Sequence, residues 1–395
     1  MTTYTILIIL SGLVIFSYLF DLVASKTKIP SVLLLLLLGI GLKFLVSYLN
    51  IQTFNFLSIL PALGTVGLIL IVFEGSLELK YDQNKNKIIK SAFLSALTIL
   101  LGTITLITII IYQISHHNLY TCITNAIPFS VISSAIAIPS AAALTKKDKE
   151  FVIYESSFSD ILGIIIFNFA ITNHSINLSA VIGLGLSTFL IILLSAIACI
   201  VLLYIMGRLV HHIKFFLIIS ILILVYAIGQ SYHLSSLVLI LSTGLFLNNA
   251  DTIQNVWFRG IFLYKNLSAD LSQLYQLSAE SAFILRTFFF VIFGFTMNVN
   301  ELNNIPILAN GLFILISIYV VRIIFLKVFK KEKIAPILYI APRGLISILL
   351  YFNLPESLKI PEVGTSFLFL VVLGSSLVMT LGIALSKRKT EEVIV

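Results

Sequence analysis

Residues 88–114 read IIKSAFLSALTILLGTITLITIIIYQI, an apolar run carrying a single charge, Lys90. A helix rises about 1.5 Å per residue, so this stretch is long enough to cross a bilayer core roughly 30 Å thick. Comparable runs fill most of the chain. We place them near 5–23, 30–49, 55–79, 88–114, 122–145, 150–171, 179–206, 214–229, 233–249, 276–297, 304–326, 334–352 and 364–386, numbered helices 1 to 13. The 395-residue chain is 59% apolar and 11% charged, with a mean hydropathy of +1.10. A soluble domain carries about 25% charged residues. Lipid is therefore the solvent for most of this chain, and helices satisfy their own backbone there. The reading is an all-α polytopic membrane protein, a single domain over 1–395 with about 13 transmembrane helices. The first run has no basic leader and no cleavage site, so it reads as a retained helix.

The net charge of +8 is a topology signal, since Lys and Arg collect in cytoplasmic loops. Basic residues cluster in every second connection: Lys26 and Lys28, then Lys80 to Lys90, Lys146 to Lys149, Arg208 and Lys214, Arg259 and Lys265, Lys327 to Lys333, and the tail Lys387-Arg388-Lys389. The other side has Lys359, with Lys43 near a helix end. This alternation places the N-terminus outside and the C-terminus in the cytoplasm, in a multi-pass protein of the cell (inner) membrane, and it argues against nucleic acid as a partner. Segment 250–275 reads as an amphipathic linker helix on the cytoplasmic surface, carrying Trp257, Tyr264 and Tyr275. Cys122 and Cys199 lie far apart in apolar runs and read as buried thiols. The six histidines sit at loops or helix ends and read as surface groups.

A charge at mid-helix costs roughly 2.5–3.5 kcal/mol on insertion scales, so each one is a functional candidate. They are Glu74, Glu155, Asp160, Glu280, Arg286, Arg322 and Arg343. Asp160 lies about 15 Å along helix 6, near the midplane, and Arg286 and Arg343 reach similar depth. In Tyr154-Glu155-Ser156-Ser157-Phe158-Ser159-Asp160, Ser156 shares a face with Asp160, and Ser159 shares one with Glu155. Matching depth and opposite sign pair Glu155 with Arg322. Asp160 has no basic partner in its own helix, and a neighbouring hydroxyl suits a hard cation. Whether Arg343 or Arg286 neutralises it is open from the residues alone.

Helix 5 contains Ile138-Pro139-Ser140 and helix 12 contains Pro342-Arg343-Gly344. Proline removes a backbone hydrogen bond and frees a carbonyl. A matched pair of interruptions in two halves marks a transporter site. An offset of seven spans makes the two halves inverted repeats, with helices 5 and 12 broken.

Phe73-Glu74-Gly75-Ser76-Leu77, Glu155-Ser156-x-x-Ser159-Asp160, Phe289-Phe290-x-x-x-Gly294, Arg322 and Pro342-Arg343-Gly344 together resemble the sodium/proton exchanger family of the monovalent cation–proton antiporter superfamily, over nearly the whole chain. The resemblance implies that Asp160 carries the ion, that Ser156, Ser159 and Glu74 contribute oxygens, and that Glu155 pairs structurally with Arg322. It also implies a homodimer, with helices 1–3 and 8–10 as scaffold and helices 4–6 and 11–13 as the moving core. Where the family has Thr-Asp-Pro on helix 5, this chain has Ala137-Ile138-Pro139. The residue before the acid is the uncharged Ser159, which points to one-for-one exchange.

The function expected is antiport of a monovalent cation, Na+ first, against protons that compete for Asp160, with no cofactor and no enzymatic step. K+/H+ antiport or proton-coupled carriage of a small organic solute is the alternative. An intramembrane aspartyl protease needs two facing aspartates, and Asp160 is the only deep one. A channel needs a carbonyl-lined filter, which the sequence lacks.

Overall fold

The structure, a computed structural model, describes residues 3–27, 30–48, 60–80, 83–141, 144–173, 178–208, 214–231, 236–298, 301, 304–330 and 334–391. Among these the chain is helical throughout, with no strand. The helices are α1 (Thr3–Thr27), α2 (Ser31–Tyr48), α3 (Leu60–Glu78), α4 (Asn86–Ser115), α5 (Leu119–Ser130), α6 (Ser134–Ser140), α7 (Lys146–Thr172), α8 (Leu178–Arg208), α9 (Lys214–Ser231), α10 (Ser236–Asn248), α11 (Val256–Phe262), α12 (Leu267–Thr296), α13 (Ile305–Lys330), α14 (Leu345–Phe352) and α15 (Thr365–Glu391).

Among the described residues, seven helices are long and apolar enough to cross a membrane, and four shorter apolar helices accompany them. Helix α7 is not among the seven, although it corresponds to expected helix 6. Its serines, Glu155 and Asp160 lower its hydropathy, so its place in the bilayer depends on neighbours that satisfy those groups. Two expected spans are each split in two. Helix 5 is divided into α5 and α6. Helix 12 is a short 3-10 turn, Ile337–Tyr339, then non-helical backbone, then α14.

The linker expectation needs correcting. Residues 250–275 are not one helix: they form a 3-10 turn at Ala250–Thr252, helix α11, and the first turns of α12. Asn255 starts α11, its Oδ1 accepting from Trp257 N at 2.9 Å and Phe258 N at 3.3 Å. Such an N-cap satisfies donors that have no partner in the first turn. Of the histidines, His116 and His117 are exposed; His174, His211, His212 and His233 lie outside the described residues. Cys122 and Cys199 are buried and free.

The chain forms two compact units. One comprises residues 1–62, 87–163 and 286–395, the other 63–86 and 164–285. In the second, α8 packs on α10, where Ser195 Oγ donates to Leu239 O at 3.2 Å. Asn248 Nδ2 donates to Leu77 O at 2.7 Å and Asn249 Nδ2 to Leu79 O at 3.0 Å. The two side-chain amides thereby take up carbonyls at the C-terminal end of α3, which have no donor within their own helix.

In the first unit, α2 lies against the C-terminal half of α12 at backbone distance. A Cβ on Gly39 would collide with Val291 O, and one on Gly294 with Leu36 O. Small residues at a helix crossing permit this approach, which is how helices gain contact when lipid offers no hydrophobic drive. Phe289, Phe290 and Phe293 beside it are buried, and Phe293 packs edge-on to Phe352 with ring centres 6.1 Å apart. Since the obstructing atoms are backbone, Gly39→Ala or Gly294→Ala should cost at least the roughly 1–3 kcal/mol of ordinary overpacking. Thermal unfolding of the detergent-solubilised protein should show the loss. Gly41→Ala, where no heavy atom lies within 4 Å of the added carbon, should leave the melting temperature in place.

Candidate functional site

Two interrupted helices meet in the first unit. Asn118 caps α5, accepting from Thr121 N at 2.8 Å. The helix stops at Ser130, and Val131 (φ −81, ψ 129) and Ser133 (φ −78, ψ 112) are extended. The chain at 340–344 is non-helical as well. Ser133 N donates to Pro342 O at 2.9 Å, joining the two breaks. Gly344 sits so close to Ser133 that a Cβ would lie 2.7 Å from Ser133 Oγ.

The rest of the break is satisfied by neighbouring helices. Ile132 N donates to Ser159 Oγ at 2.9 Å, Ser347 Oγ donates to Val131 O at 3.4 Å, and Arg343 N donates to Ser375 Oγ at 2.9 Å. Buried backbone groups away from water need such partners.

The sequence expectation placed the first break at Ile138, Pro139 and Ser140. These residues lie inside α6, and the break is Val131–Ser133. Pro139 falls near the end of a seven-residue helix, where little helix remains to disrupt. Ser140 Oγ donates to Ile136 O at 2.8 Å beside the missing donor. The chain breaks instead where partners from other helices replace the helical bonds. Pro342, Arg343 and Gly344 do stand at the crossing.

Broken helices leave dipole ends inside the membrane. Arg343, fully buried, donates from Nη1 to Ser130 O at 2.9 Å, at the negative end of α5. Asp160 Oδ2 accepts from Ser134 N at 3.2 Å, at the positive end of α6. Each charge sits at the helix end of opposite sign.

Two carboxylates on α7 have contrasting surroundings. Glu155 is fully engaged: Oε1 accepts from Ser95 Oγ at 2.7 Å and Oε2 from Arg322 Nη2 at 2.8 Å. Arg322, fully buried, also donates from Nη2 to Ile337 O at 3.0 Å and from Nε to Leu338 O at 3.1 Å. It thus ties α7 and α13 to the turn that precedes the second break. Asp160 is 7% exposed, and its Oδ1 has no hydrogen-bond partner among the described residues. Neither Arg343 nor Arg286 forms an ion pair with it there. The buried acid with an open oxygen is therefore Asp160.

The remaining candidates are placed as follows. Ser156 is buried one turn before Asp160, its Oγ donating to Val152 O at 2.8 Å. Its lone pairs stay available. Ser159 Oγ is occupied by Ile132 N, so it braces the break. Glu74 is half-buried on α3, in the second unit. Glu280 is exposed and Arg286 half-buried on α12. Sequence reasoning missed Ser95, Ser134, Ser375 and Tyr319, whose Oη donates to Ser375 O at 3.1 Å. Hydroxyls are common in membrane helices, and nothing local distinguishes these.

The sequence profile described as "Sodium/hydrogen exchanger, transmembrane" matches residues 11–387. The chain belongs to the sodium/hydrogen exchanger family. It is a multi-pass membrane transporter, not an enzyme. The fold of this exchanger resembles the sodium proton antiporter MjNhaP1 from Methanocaldococcus jannaschii at pH 8, with a TM-score of 0.70 and 20% identity over 95% of this chain and 94% of that one. An electron-microscopy structure of the same antiporter gives a TM-score of 0.69 at 20% identity, covering 98% of this chain and 96% of that one. A search of curated protein sequences found no match.

Removing one partner of a buried ion pair leaves the other charge uncompensated, at a cost of about 3–5 kcal/mol. Glu155→Ala or Arg322→Ala in this exchanger should therefore lower the melting temperature sharply. Arg322→Lys should rescue little, because an ammonium cannot reach the Glu155 carboxylate and two carbonyls at once. Ser95→Ala should lose about 1–2 kcal/mol.

Proposed function

We propose that this protein is a monovalent cation/proton antiporter that exchanges Na+ for H+, one for one, with the two ions competing for Asp160. The observation that carries the reading is the contrast on α7. Glu155 has both oxygens committed, whereas Asp160 keeps Oδ1 free in a buried position at the crossing of two broken helices.

A carboxylate removed from water is poorly solvated as a bare anion. It is stabilised either by a proton or by a cation, and one oxygen site does not hold both. Alkali cations are hard and take oxygen ligands. Asp160 Oδ1 supplies the charge, and the Ser156 hydroxyl on the same face supplies a neutral oxygen. Loaded with either ion, the site is neutral and crosses; empty, it retains a charge whose desolvation costs several kcal/mol. That difference couples the two fluxes. Arg343 and Ser134 hold the broken ends in place without supplying the exchanged charge.

One titrating acid supports electroneutral exchange. Ser159, beside it, adds no charge, and Glu155 is held by Arg322. Helices α4–α7 and α13–α15 form the moving core in this scheme, and α1–α3 with α9, α10 and α12 the scaffold of a homodimer. The N-terminus faces outward and the C-terminus the cytoplasm, in the cell membrane.

Proton flux in vesicles containing the purified protein tests this, with each alkali cation added in turn. The wild type should move protons on Na+ addition, at a rate indifferent to an imposed voltage. Asp160→Asn should fall to the level of empty vesicles while inserting and melting like the wild type. Na+-driven proton movement surviving in that variant would refute the assignment of Asp160, and a rate that follows the voltage would refute one-for-one exchange.

A further inference from the structure

The second unit has an open cleft of about 460 Å³ where α11 meets the start of α12. Its lining includes three cations, Lys80, Arg259 and Lys265, and one carboxylate, Asp251. Lys80 and Asp251 satisfy each other at 2.8 Å. Arg259 and Lys265 make no ion pair and no side-chain hydrogen bond among the described residues. The next acid along the chain, Asp270, accepts from Tyr264 Oη. Ser268 and Ser272, one turn apart at the start of α12, add hydroxyls to the same wall. The cleft therefore carries two unbalanced positive charges beside neutral donors, which suits a phosphate: guanidinium and ammonium groups donate to its oxygens through charge-assisted hydrogen bonds.

A second observation fixes the kind of phosphate. Helix α11 has no buried residue, and its apolar side chains are outermost: Val256 is 86% exposed and Trp257 69%, with Ile261 also exposed. A cluster of large apolar groups left open marks a contact surface. On a short helix that starts between spanning helices, with a tryptophan at its head, that surface suits the boundary between headgroups and acyl chains. Lys80, Arg259 and Lys265 belong to the loops that the charge asymmetry puts on the cytoplasmic side, where anionic lipids attract basic segments.

We propose that this cleft binds an anionic phospholipid of the cytoplasmic leaflet, its phosphate held by Arg259 and Lys265 and its chains lying along Val256, Trp257 and Ile261. The site is independent of Asp160 and of the exchange reaction, and its test reads binding alone.

Native mass spectrometry of the full chain in detergent measures this directly, with phosphatidylglycerol, phosphatidylcholine and soluble glycerol phosphate titrated separately. The wild type should retain phosphatidylglycerol in preference to phosphatidylcholine and should not retain glycerol phosphate. Replacing both cations, Arg259→Gln with Lys265→Gln, should weaken phosphatidylglycerol roughly 30-fold. Trp257→Ser should weaken it as well, and neutralising the balanced pair together, Lys80→Gln with Asp251→Asn, should change it little. Equal retention of the two lipids by the wild type would overturn the proposal, and this comparison needs no variant to fold. Undiminished phosphatidylglycerol binding in the double variant would overturn it too. Glycerol phosphate bound as tightly as the lipid would assign the cleft to a soluble phosphate instead.

Discussion

The hydrogen bond from Ser133 N to Pro342 O joins two segments that have each given up their helical bonding inside an apolar medium. Such breaks are tolerated only when every freed group finds a protein partner. Here those partners come from three directions: Ser159 and Asp160 on α7, Ser375 on α15, and Ser347 and Arg343 beside the second break. No one helix holds the crossing.

The crossing turns two helix ends into fixed partial charges, and these place the ionisable groups. The end of α5 draws the Arg343 guanidinium, and the start of α6 draws the Asp160 carboxylate. Glu155 stands on the same helix as Asp160 and has the same chemistry, yet Ser95 and Arg322 occupy both of its oxygens. The two acids differ in their surroundings: one ties helices together, and the other keeps an oxygen with no hydrogen-bond partner among the described residues. A guanidinium suits the tying role because its planar fork reaches a carboxylate and two carbonyls together.

Much of this was legible in the sequence because membrane helices are written in long apolar runs and because charge inside them is rare. The depth and sign of Glu155 and Arg322 sufficed to suggest that they meet. The isolation of Asp160 was suggested by the lack of a basic partner on its own helix, but its freedom from Arg343 was not. That depends on which way a long side chain turns, and Arg343 turns to a carbonyl. The position of the first break was misread because proline is the loudest local signal in helix 5. The actual break at Val131–Ser133 is set by donors and acceptors from distant segments, which leave no mark on the residues themselves. The linker was misread because the polar start of α12 resembles a surface segment in composition.

The low hydropathy of α7 has a consequence for how the chain is made. Glu155 and Arg322 are separated by 167 positions, so at roughly 5–20 residues per second the glutamate is synthesised some ten to thirty seconds before its arginine. During that interval α4 is already present, and Ser95 Oγ is the one side-chain partner of Glu155 made in advance. The contact of α7 with α4 through this hydroxyl can thus form before the ion pair that links α7 to α13.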